Sequence, residues 1–226
     1  MTIAIPAKRR LDREYRYLPR VFQGKARLLD VGCGDGSFLQ IAQSCGWNVV
    51  GVDPDPKAVE NCRAQGFDVL CGGTEQFEGR ENLFDVITLC HVIEHLHDPV
   101  RVLARCHGLL KPGGRLWLET PNITSSGFHL FEKNWLGLDA PRHLVLFNYE
   151  SLCTVLTSAG YSNIKRCPSP GAVRSQYGAS FALVNDMSHY EKMPVPLSLW
   201  SKILAGMVTE MLKPSRKELL NLTCEK

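Results

Sequence analysis

Short apolar runs alternate with stretches of helical periodicity along the first half of the chain. The apolar runs are not interleaved with polar residues, which indicates strands that are buried on both faces. These predicted strands lie at 28–31, 49–52, 68–70, 85–89 and 115–119. Helices are predicted between them at 37–45, 56–65 and 98–110. Strands that alternate with helices are typical of a doubly wound, mostly parallel α/β sheet.

The second half of the chain is less regular. A segment at 123–147 mixes aromatic residues, glycine and proline without periodicity, and we expect a functional loop there that covers the substrate. Beyond it, the pattern predicts a helix at 150–159, a strand at 164–167 and a last strand at 218–224 that pairs with it. A helical insertion is expected at 172–213.

Six large apolar residues recur at helical spacing within this insertion and predict an amphipathic helix. They are Leu197, Trp200, Leu204, Met207, Val208 and Met211. We expect this apolar stripe to pack on the body of the protein or on a partner subunit, for example in a homodimer. A role at a membrane surface is the less favoured alternative, because the polar face of the helix carries few lysines and arginines.

Composition and charge narrow the class of protein. The 226 residues are 44% hydrophobic, which suits a single domain over 1–226 with its core at 26–167 and 218–224. The 26 basic and 23 acidic residues are spread along the chain, so we expect no nucleic-acid partner. We find neither a secretory signal nor an apolar run that suits integral membrane association. The nine cysteines lack C-x-x-C or Cys/His ligand spacing, which favours reduced, mostly buried thiols in a cytoplasmic protein.

A glycine-rich turn follows the first predicted strand. Glycines 32, 34 and 36 allow positive φ angles and let a ligand approach the backbone, while a helix begins at Ser37 with its free N–H groups facing the same place. Asp53 ends the second predicted strand, where an acid can accept hydrogen bonds from both hydroxyl groups of a ribose. The pattern therefore predicts a cofactor that contains a ribose.

The spacing of the turn selects among such cofactors. A dinucleotide fingerprint, G-x-G-x-x-G, needs glycine at position 37, where this chain has Ser37. The pattern here is instead D-x-G-x-G-x-G. Asp30 would repel a pyrophosphate but can bind the ammonium group of an amino acid. An aminoacyl nucleoside therefore fits better than a dinucleotide.

Four motifs occur in one order along the chain: the glycine turn, the acid at 53, the segment 84–96 with Glu94-His95, and the segment 109–116 with Lys-Pro-Gly-Gly. In this order they resemble the class I S-adenosylmethionine-dependent methyltransferases. Segment 135–144 resembles bacterial small-molecule members from ubiquinone and surface-glycan pathways. The resemblance implies a Rossmann-like sheet of seven strands, mostly parallel with an antiparallel last strand, and S-adenosyl-L-methionine as the cofactor.

The resemblance also implies which residues hold that cofactor. Asp30, Gly32 and Gly34 would surround its methionyl end, and Asp53 its ribose. Glu75 has two equally favoured interpretations, as an adenine contact or as a helix-capping acid. The complete predicted set is Asp30, Gly32, Gly34, Gly36, Asp53, Pro54, Thr74, Glu75, Cys90 and His91.

Two histidines are candidates for a general base. His95 is the first choice, because its pairing with Glu94 is similar to that of many related methyltransferases; His143 is the second. Arg142 is expected to bind an anionic group of the acceptor. The acids and histidines at 94, 95, 97 and 98 resemble a metal set only weakly, so no required metal is expected.

The expected function is transfer of a methyl group to a small molecule, favouring a hydroxyl oxygen over nitrogen or carbon. One alternative is a catalytically silent protein that binds the cofactor and serves as a partner subunit. A nicotinamide-dependent oxidoreductase is a weaker alternative, disfavoured by Ser37.

Overall fold

The structure is a computed structural model that describes residues 26–167, 172–185 and 196–226. These ranges leave out all of the stretch at 9–20, which carries five arginines, and also 168–171 and 186–195, the latter within the predicted helical insertion.

Seven strands form one sheet within the described residues. They are β1 (Arg27–Val31), β2 (Asn48–Asp53), β3 (Asp68–Cys71), β4 (Phe84–Cys90), β5 (Leu110–Pro121), β6 (Ser162–Arg166) and β7 (Leu219–Glu225). Their order is β3-β2-β1-β4-β5-β7-β6, and β7 alone runs antiparallel to its two neighbours. The predicted seven-stranded sheet with an antiparallel last strand is confirmed.

Helices cover both faces of the sheet. They are α1 (Ser37–Ser44), α2 (Pro56–Ala64), α3 (Pro99–Leu109), α4 (Ser126–Phe131), α5 (Tyr149–Ser158), α6 (Ala172–Val184) and α7 (Leu197–Leu212). The starts of α2 and α3 follow one pattern, in which an aspartate side chain accepts a backbone N–H and a proline opens the helix. These local signals explain why the sequence predicted both helices to within one or two residues.

Successive residues of a central strand pack into different layers of the core. Leu28 packs with α1 and α2, whereas Leu29 packs with α3 and α5. This arrangement follows from the alternation of side chains along a strand and explains the unbroken apolar runs. A third, smaller cluster joins α4, α6 and α7 around Trp135 and Tyr177.

Two predictions about irregular segments need correction. The Lys111-Pro112-Gly113-Gly114 motif, which by its proline and glycines was expected to form the turn between the predicted helix 98–110 and the strand 115–119, lies inside β5, where it forms an irregularity in the pairing with β4. The segment 123–147, predicted to be a loop, contains α4 and two single turns of 3-10 helix. A six-residue helix is too short to show helical periodicity, which is why the sequence did not reveal it.

The apolar stripe on α7 faces away from the body of the protein. Its six residues are between 38% and 86% exposed, while the opposite face buries Leu199, Ile203 and Gly206. The close packing at Gly206 fixes this orientation, because an added Cβ would lie 2.6 Å from the Tyr177 hydroxyl. Packing of the stripe on the body was therefore wrong, and packing on a partner subunit stays a prediction. Among the described residues, no helix has the length and apolar character needed to cross a membrane.

Candidate active site

The predicted glycine turn lies at the carboxyl edge of the sheet and is held by β2. The Gly32 N–H donates to the Val52 carbonyl over 2.8 Å, and the Gly34 N–H donates to Asp53 Oδ2 over 2.8 Å. Gly32, Gly34 and Gly36 have φ angles of 73°, 54° and 80°, in the left-handed region that favours glycine. The backbone conformation thus confirms the prediction that all three positions adopt positive φ angles, which glycine tolerates best.

Asp53 joins three parts of this edge. Its Oδ2 accepts the Gly34 N–H, its Oδ1 accepts the Asp55 N–H over 2.9 Å, and its carbonyl accepts the Gly72 N–H over 2.9 Å. The residue is 8% exposed. A carboxylate has about four lone-pair sites, so two backbone bonds leave it the capacity to accept two more donors. That capacity suits the two hydroxyl groups of a ribose.

Asp30 is a second buried acid at the same edge. It is 1% exposed, and its Oδ1 accepts the Thr88 hydroxyl over 2.6 Å from the neighbouring strand β4. Burying a carboxylate lowers the stability of the fold unless the group is hydrogen-bonded or contacts a cation. Its position fits the predicted role of holding an ammonium group.

The glycine turn also provides room for a ligand. A Cβ built on Gly34 meets nothing within 4 Å, whereas a Cβ on Gly32 would lie 2.5 Å from Val92 Cγ2. Gly34 therefore borders a cradle, and Gly32 serves close packing against the turn after β4. Together with the two buried acids, this arrangement fits a nucleoside cofactor that carries an amino-acid group.

The turn after β3 was the predicted adenine side. Thr74 is buried, and Glu75 Oε1 accepts the Gly73 N–H over 2.5 Å at the start of a short 3-10 helix. This contact agrees with the capping interpretation of Glu75. Pro54 lies exposed beside Asp53. The cofactor roles of Pro54, Thr74 and Glu75 stay predictions.

The end of β4 carries a strained residue. His91 has a φ angle of 53°, uncommon for a non-glycine residue, and its N–H donates to the Glu119 carbonyl over 2.9 Å. Its Nδ1 lies 3.1 Å from Glu94 Oε1. Cys90 precedes it and pairs with Glu119 across the sheet. Both predicted residues, Cys90 and His91, thus lie at the ligand-binding edge of the sheet.

Glu94 organises the turn after β4. It is fully buried, and its Oε2 accepts the Thr120 hydroxyl over 2.8 Å. Burial raises the pKa of the Glu94 carboxyl, but hydrogen bonds from His91 and Thr120 outweigh it and hold the pKa below its ordinary value. The Glu94 carbonyl also accepts the N–H groups of Leu144 and Val145 over 2.8 and 3.2 Å. Glu94 therefore fixes the segment 139–145 against the carboxyl edge of the sheet.

That contact brings the two predicted base candidates together. The rings of His95 and His143 lie 4.7 Å apart, between centroids, at an angle of 63°. His95 Nδ1 lies 2.9 Å from the Arg142 carbonyl, and His143 Nδ1 lies 2.8 Å from the Gly137 carbonyl. A carbonyl only accepts, so each Nδ1 carries a proton, and in the neutral rings Nε2 is the nitrogen that can take one.

Arg142 is the predicted residue for an anionic acceptor. Its side chain is 72% exposed, and one guanidinium nitrogen lies 2.9 Å from Asp139 Oδ2. His143 Nε2 is 3.9 Å from the same oxygen. Arg142 thus lies beside the histidine pair, and its role towards an acceptor stays a prediction.

Comparison with known proteins shows the family to which this chain belongs. A family model described as "Methyltransferase domain" matches residues 5–166. This chain belongs to the methyltransferase-domain family. The resemblance stated from the sequence is confirmed at this level, and the glycine turn, both buried acids and the histidine pair all lie within the matched residues.

Curated relatives of this methyltransferase-domain chain include two proteins from Xanthomonas. The ubiquinone biosynthesis O-methyltransferase of Xanthomonas oryzae pv. oryzae (strain PXO99A) is 35% identical over 112 residues, covering 46% of this chain and 47% of that protein. The enzyme of the same name from Xanthomonas campestris pv. campestris (strain B100) is 34% identical over 118 residues, covering 49% of each. The chain spans about half the length of these relatives.

Solved structures share the fold. A SAM-dependent methyltransferase from Archaeoglobus fulgidus superposes with a TM-score of 0.63 at 22% identity, covering 98% of this chain and 93% of that one. The [4+2]-cyclase SpnF superposes with a TM-score of 0.62 at 20% identity, covering 98% and 79%. Because one of these two proteins is named as a cyclase, the fold alone does not fix the reaction.

Several buried polar groups that support the candidate site or the neighbouring segment 123–147 were not predicted. The Thr88 and Thr120 hydroxyls donate to the buried carboxylates of Asp30 and Glu94 from β4 and β5. Glu218 is fully buried and accepts the Gly127 N–H over 2.7 Å and the Trp135 indole N–H over 3.1 Å. Only the strand register and the position of α4 bring these groups together, so the sequence offered no signal for them.

Replacing Gly32 and Gly34 separately with alanine should have different effects. Both place an L side chain in the left-handed region, at about 1–2 kcal/mol each. Gly32→Ala also meets Val92, so we expect a further loss of about 1–3 kcal/mol in the free energy of unfolding. Gly34→Ala should stay folded and lose affinity for S-adenosylhomocysteine by tenfold or more. Thermal unfolding and calorimetry measure the two effects, and unchanged affinity in Gly34→Ala would contradict the cradle.

Glu218 should make the stability depend on pH. Burial raises its pKa from 4.5 to about 7. The folded state therefore binds a proton that the unfolded state has lost, so this group's contribution is present below about pH 4.5 and is lost as the pH rises through 7. We expect the free energy of unfolding to fall by about 3 kcal/mol over that range, and Glu218→Gln to remove this fall. Glu150→Gln, on an exposed position of α5, should keep the wild-type pH profile; a similar profile for Glu218→Gln would refute this role.

Proposed function

We propose that this chain binds S-adenosyl-L-methionine at the edge formed by β1, β2 and β4 and transfers a methyl group to a hydroxyl oxygen of a small molecule. Family membership and the fit of the glycine turn support the cofactor. The printed name of the Xanthomonas relatives, an O-methyltransferase of ubiquinone biosynthesis, supports oxygen as the acceptor atom.

The residues of the cradle have distinct tasks. Asp53 accepts the ribose hydroxyl hydrogens, Asp30 faces the ammonium group, and the backbone around Gly34 borders the cofactor. When bound, S-adenosyl-L-methionine supplies an electrophilic methyl group on its sulfonium sulfur. The protein then mainly has to orient the acceptor and exclude water, which contributes up to about 7–11 kcal/mol to lowering the barrier.

The histidine pair is the observation on which the choice of oxygen depends. His95 Nε2 is the proposed base that takes the hydroxyl proton, with His143 beside it as the second candidate. Their Nδ1 atoms are tied to backbone carbonyls, so both rings are held in the tautomer that a base needs. His95 lies on the turn after β4, close to Val92, whose side chain packs against Gly32 of the glycine turn, and the His143 ring contacts the His95 ring.

A transfer assay with methyl-labelled S-adenosyl-L-methionine tests this function. Two panels of small aromatic and glycosyl compounds, matched except for hydroxyl or amino groups, are incubated with the full chain. We expect label in hydroxyl compounds and none in their amino counterparts. Label only in the amino panel would contradict oxygen as the acceptor atom. Tight binding of S-adenosylhomocysteine without transfer to either panel or to a metabolite extract would favour a silent partner subunit.

A further inference from the structure

Three metal-ligating side chains of different chemistry meet at the carboxyl ends of β4 and β5. Glu119 Oε1 lies 3.9 Å from Cys90 Sγ and 3.7 Å from His91 Nε2. The three ligand atoms all lie within 4.8 Å of one another. Cys90 and Glu119 are direct partners in the register of the two strands, so the sheet itself sets their spacing.

The two measured spacings suit a tetrahedral ion. Zinc bonds to sulfur, nitrogen and oxygen are about 2.0–2.3 Å long, which places neighbouring ligands of a tetrahedron about 3.3–3.8 Å apart. The cluster therefore needs shifts of only a few tenths of an ångström along these two edges. A thiolate, an imidazole and a carboxylate together favour a borderline ion such as Zn²⁺ over Mg²⁺ or Ca²⁺.

Residues around the cluster orient its ligands. The Nδ1 of His91 faces Glu94 Oε1 over 3.1 Å, so Nε2, which lies towards Glu119, is the nitrogen available to a metal ion. A carboxylate behind a histidine is the common outer-shell arrangement of zinc sites. Asn221 donates to Glu119 Oε2 over 2.9 Å, so Oε1 is the oxygen turned towards Cys90 and His91. The left-handed backbone of His91 is the kind of strain found at functional sites.

We propose that Cys90, His91 and Glu119 bind one divalent transition-metal ion of the Zn²⁺ class. Three protein ligands leave the fourth position to a water or another oxygen ligand. Binding deprotonates the Cys90 thiol and releases that proton to solvent. This proposal departs from the expectation that no metal is required, because the sequence spacing of Cys90 and Glu119 gave no sign that they meet.

Cobalt titration of the metal-free full chain tests the site. Co²⁺ is expected to bind once per chain and to give the near-ultraviolet charge-transfer band of a cobalt–thiolate bond, which Zn²⁺ then abolishes. Cys90→Ser should remove the band and weaken binding at least about tenfold, and Asn221→Ala should weaken it about 10–100-fold. Cys71→Ser, at an exposed cysteine on β3, should behave like the wild type.

Three results would overturn the proposal. One is the absence of stoichiometric Co²⁺ or Zn²⁺ binding to the wild-type chain. Another is an unchanged band in Cys90→Ser, or unchanged affinity in Glu119→Gln if the cysteine variant does not fold. The third is metal binding that gives no thiolate band in the wild type and that is lost in His143→Ala. That result would assign the ion to the neighbouring group of Glu94, His95 and His143. The readout is the metal itself, so failure of the proposed methyl transfer would leave it intact.

Discussion

Asp53→Ala should weaken S-adenosylhomocysteine binding by about 10²–10⁴-fold. Two hydrogen bonds from ribose hydroxyls to a carboxylate contribute about 1.5–3 kcal/mol each, and both are lost. The change also releases Gly34 and Asp55, whose N–H groups Asp53 accepts, so the cradle itself loses support. Titration calorimetry measures the affinity, and thermal unfolding reports whether the variant stays folded.

Asp55→Ala provides a matched control for this prediction. Asp55 is two residues away and exposed, and it caps α2 by accepting the Lys57 N–H. Its loss should cost about 1 kcal/mol of stability and leave the affinity within a few-fold of the wild type. If Asp53→Ala bound as tightly as Asp55→Ala, Asp53 would not hold the ribose.

His95→Ala should lower turnover by about 10²–10⁴-fold while S-adenosylhomocysteine affinity stays unchanged. That range is the usual contribution of a general base, and His95 is not part of the cradle that holds the nucleoside. His97→Ala is the control, because His97 is an exposed histidine two residues along the chain. Initial rates with the hydroxyl compound that accepts most label measure the effect.

Comparison of the His95→Ala and His143→Ala variants tests which of the two histidines is the base. If His95→Ala keeps wild-type turnover and His143→Ala loses it, the second candidate is the base. If both variants keep wild-type turnover, neither is, and positioning alone must account for the rate. Positioning can supply the larger part of the acceleration, so the second outcome would change the mechanism without removing the reaction.

Local sequence signals predicted the part of the candidate site that is proposed to hold the cofactor. The glycine turn, Asp30 and Asp53 are each fixed by the residues beside them and by the ends of two neighbouring strands. Positive φ angles at three alternating positions demand glycine, so the motif is visible in the sequence and recurs in the structure. The strands themselves were visible because a buried parallel strand is apolar at every position.

Contacts between distant segments were not visible in the same way. His95 and His143 were named separately, but only the docking of segment 139–145 on the Glu94 carbonyl brings their rings into contact. Cys90 and Glu119 meet through the register of β4 and β5. Such contacts depend on where irregular segments and bulged strands lie in the fold. Neither an irregular segment nor a bulge leaves a periodic pattern in the sequence.

The α7 helix shows that an amphipathic pattern does not by itself predict which face of a helix packs on the body. Its large apolar residues were expected to pack on the body or on a partner subunit, and it is the small residue Gly206 with its neighbours Leu199 and Ile203 that packs against the body. Amphipathicity reveals that a helix has two faces, but close approach at a glycine decides which one packs. Packing of the exposed stripe on a partner subunit stays a prediction.

A crystal structure of the full chain with S-adenosylhomocysteine tests the central claim most directly. It should show both ribose hydroxyls within hydrogen-bonding distance of the Asp53 carboxylate, the amino group at Asp30, and the sulfur facing the His95 and His143 rings. A nucleoside bound away from the glycine turn, or a sulfur directed away from the two histidines, would contradict the account.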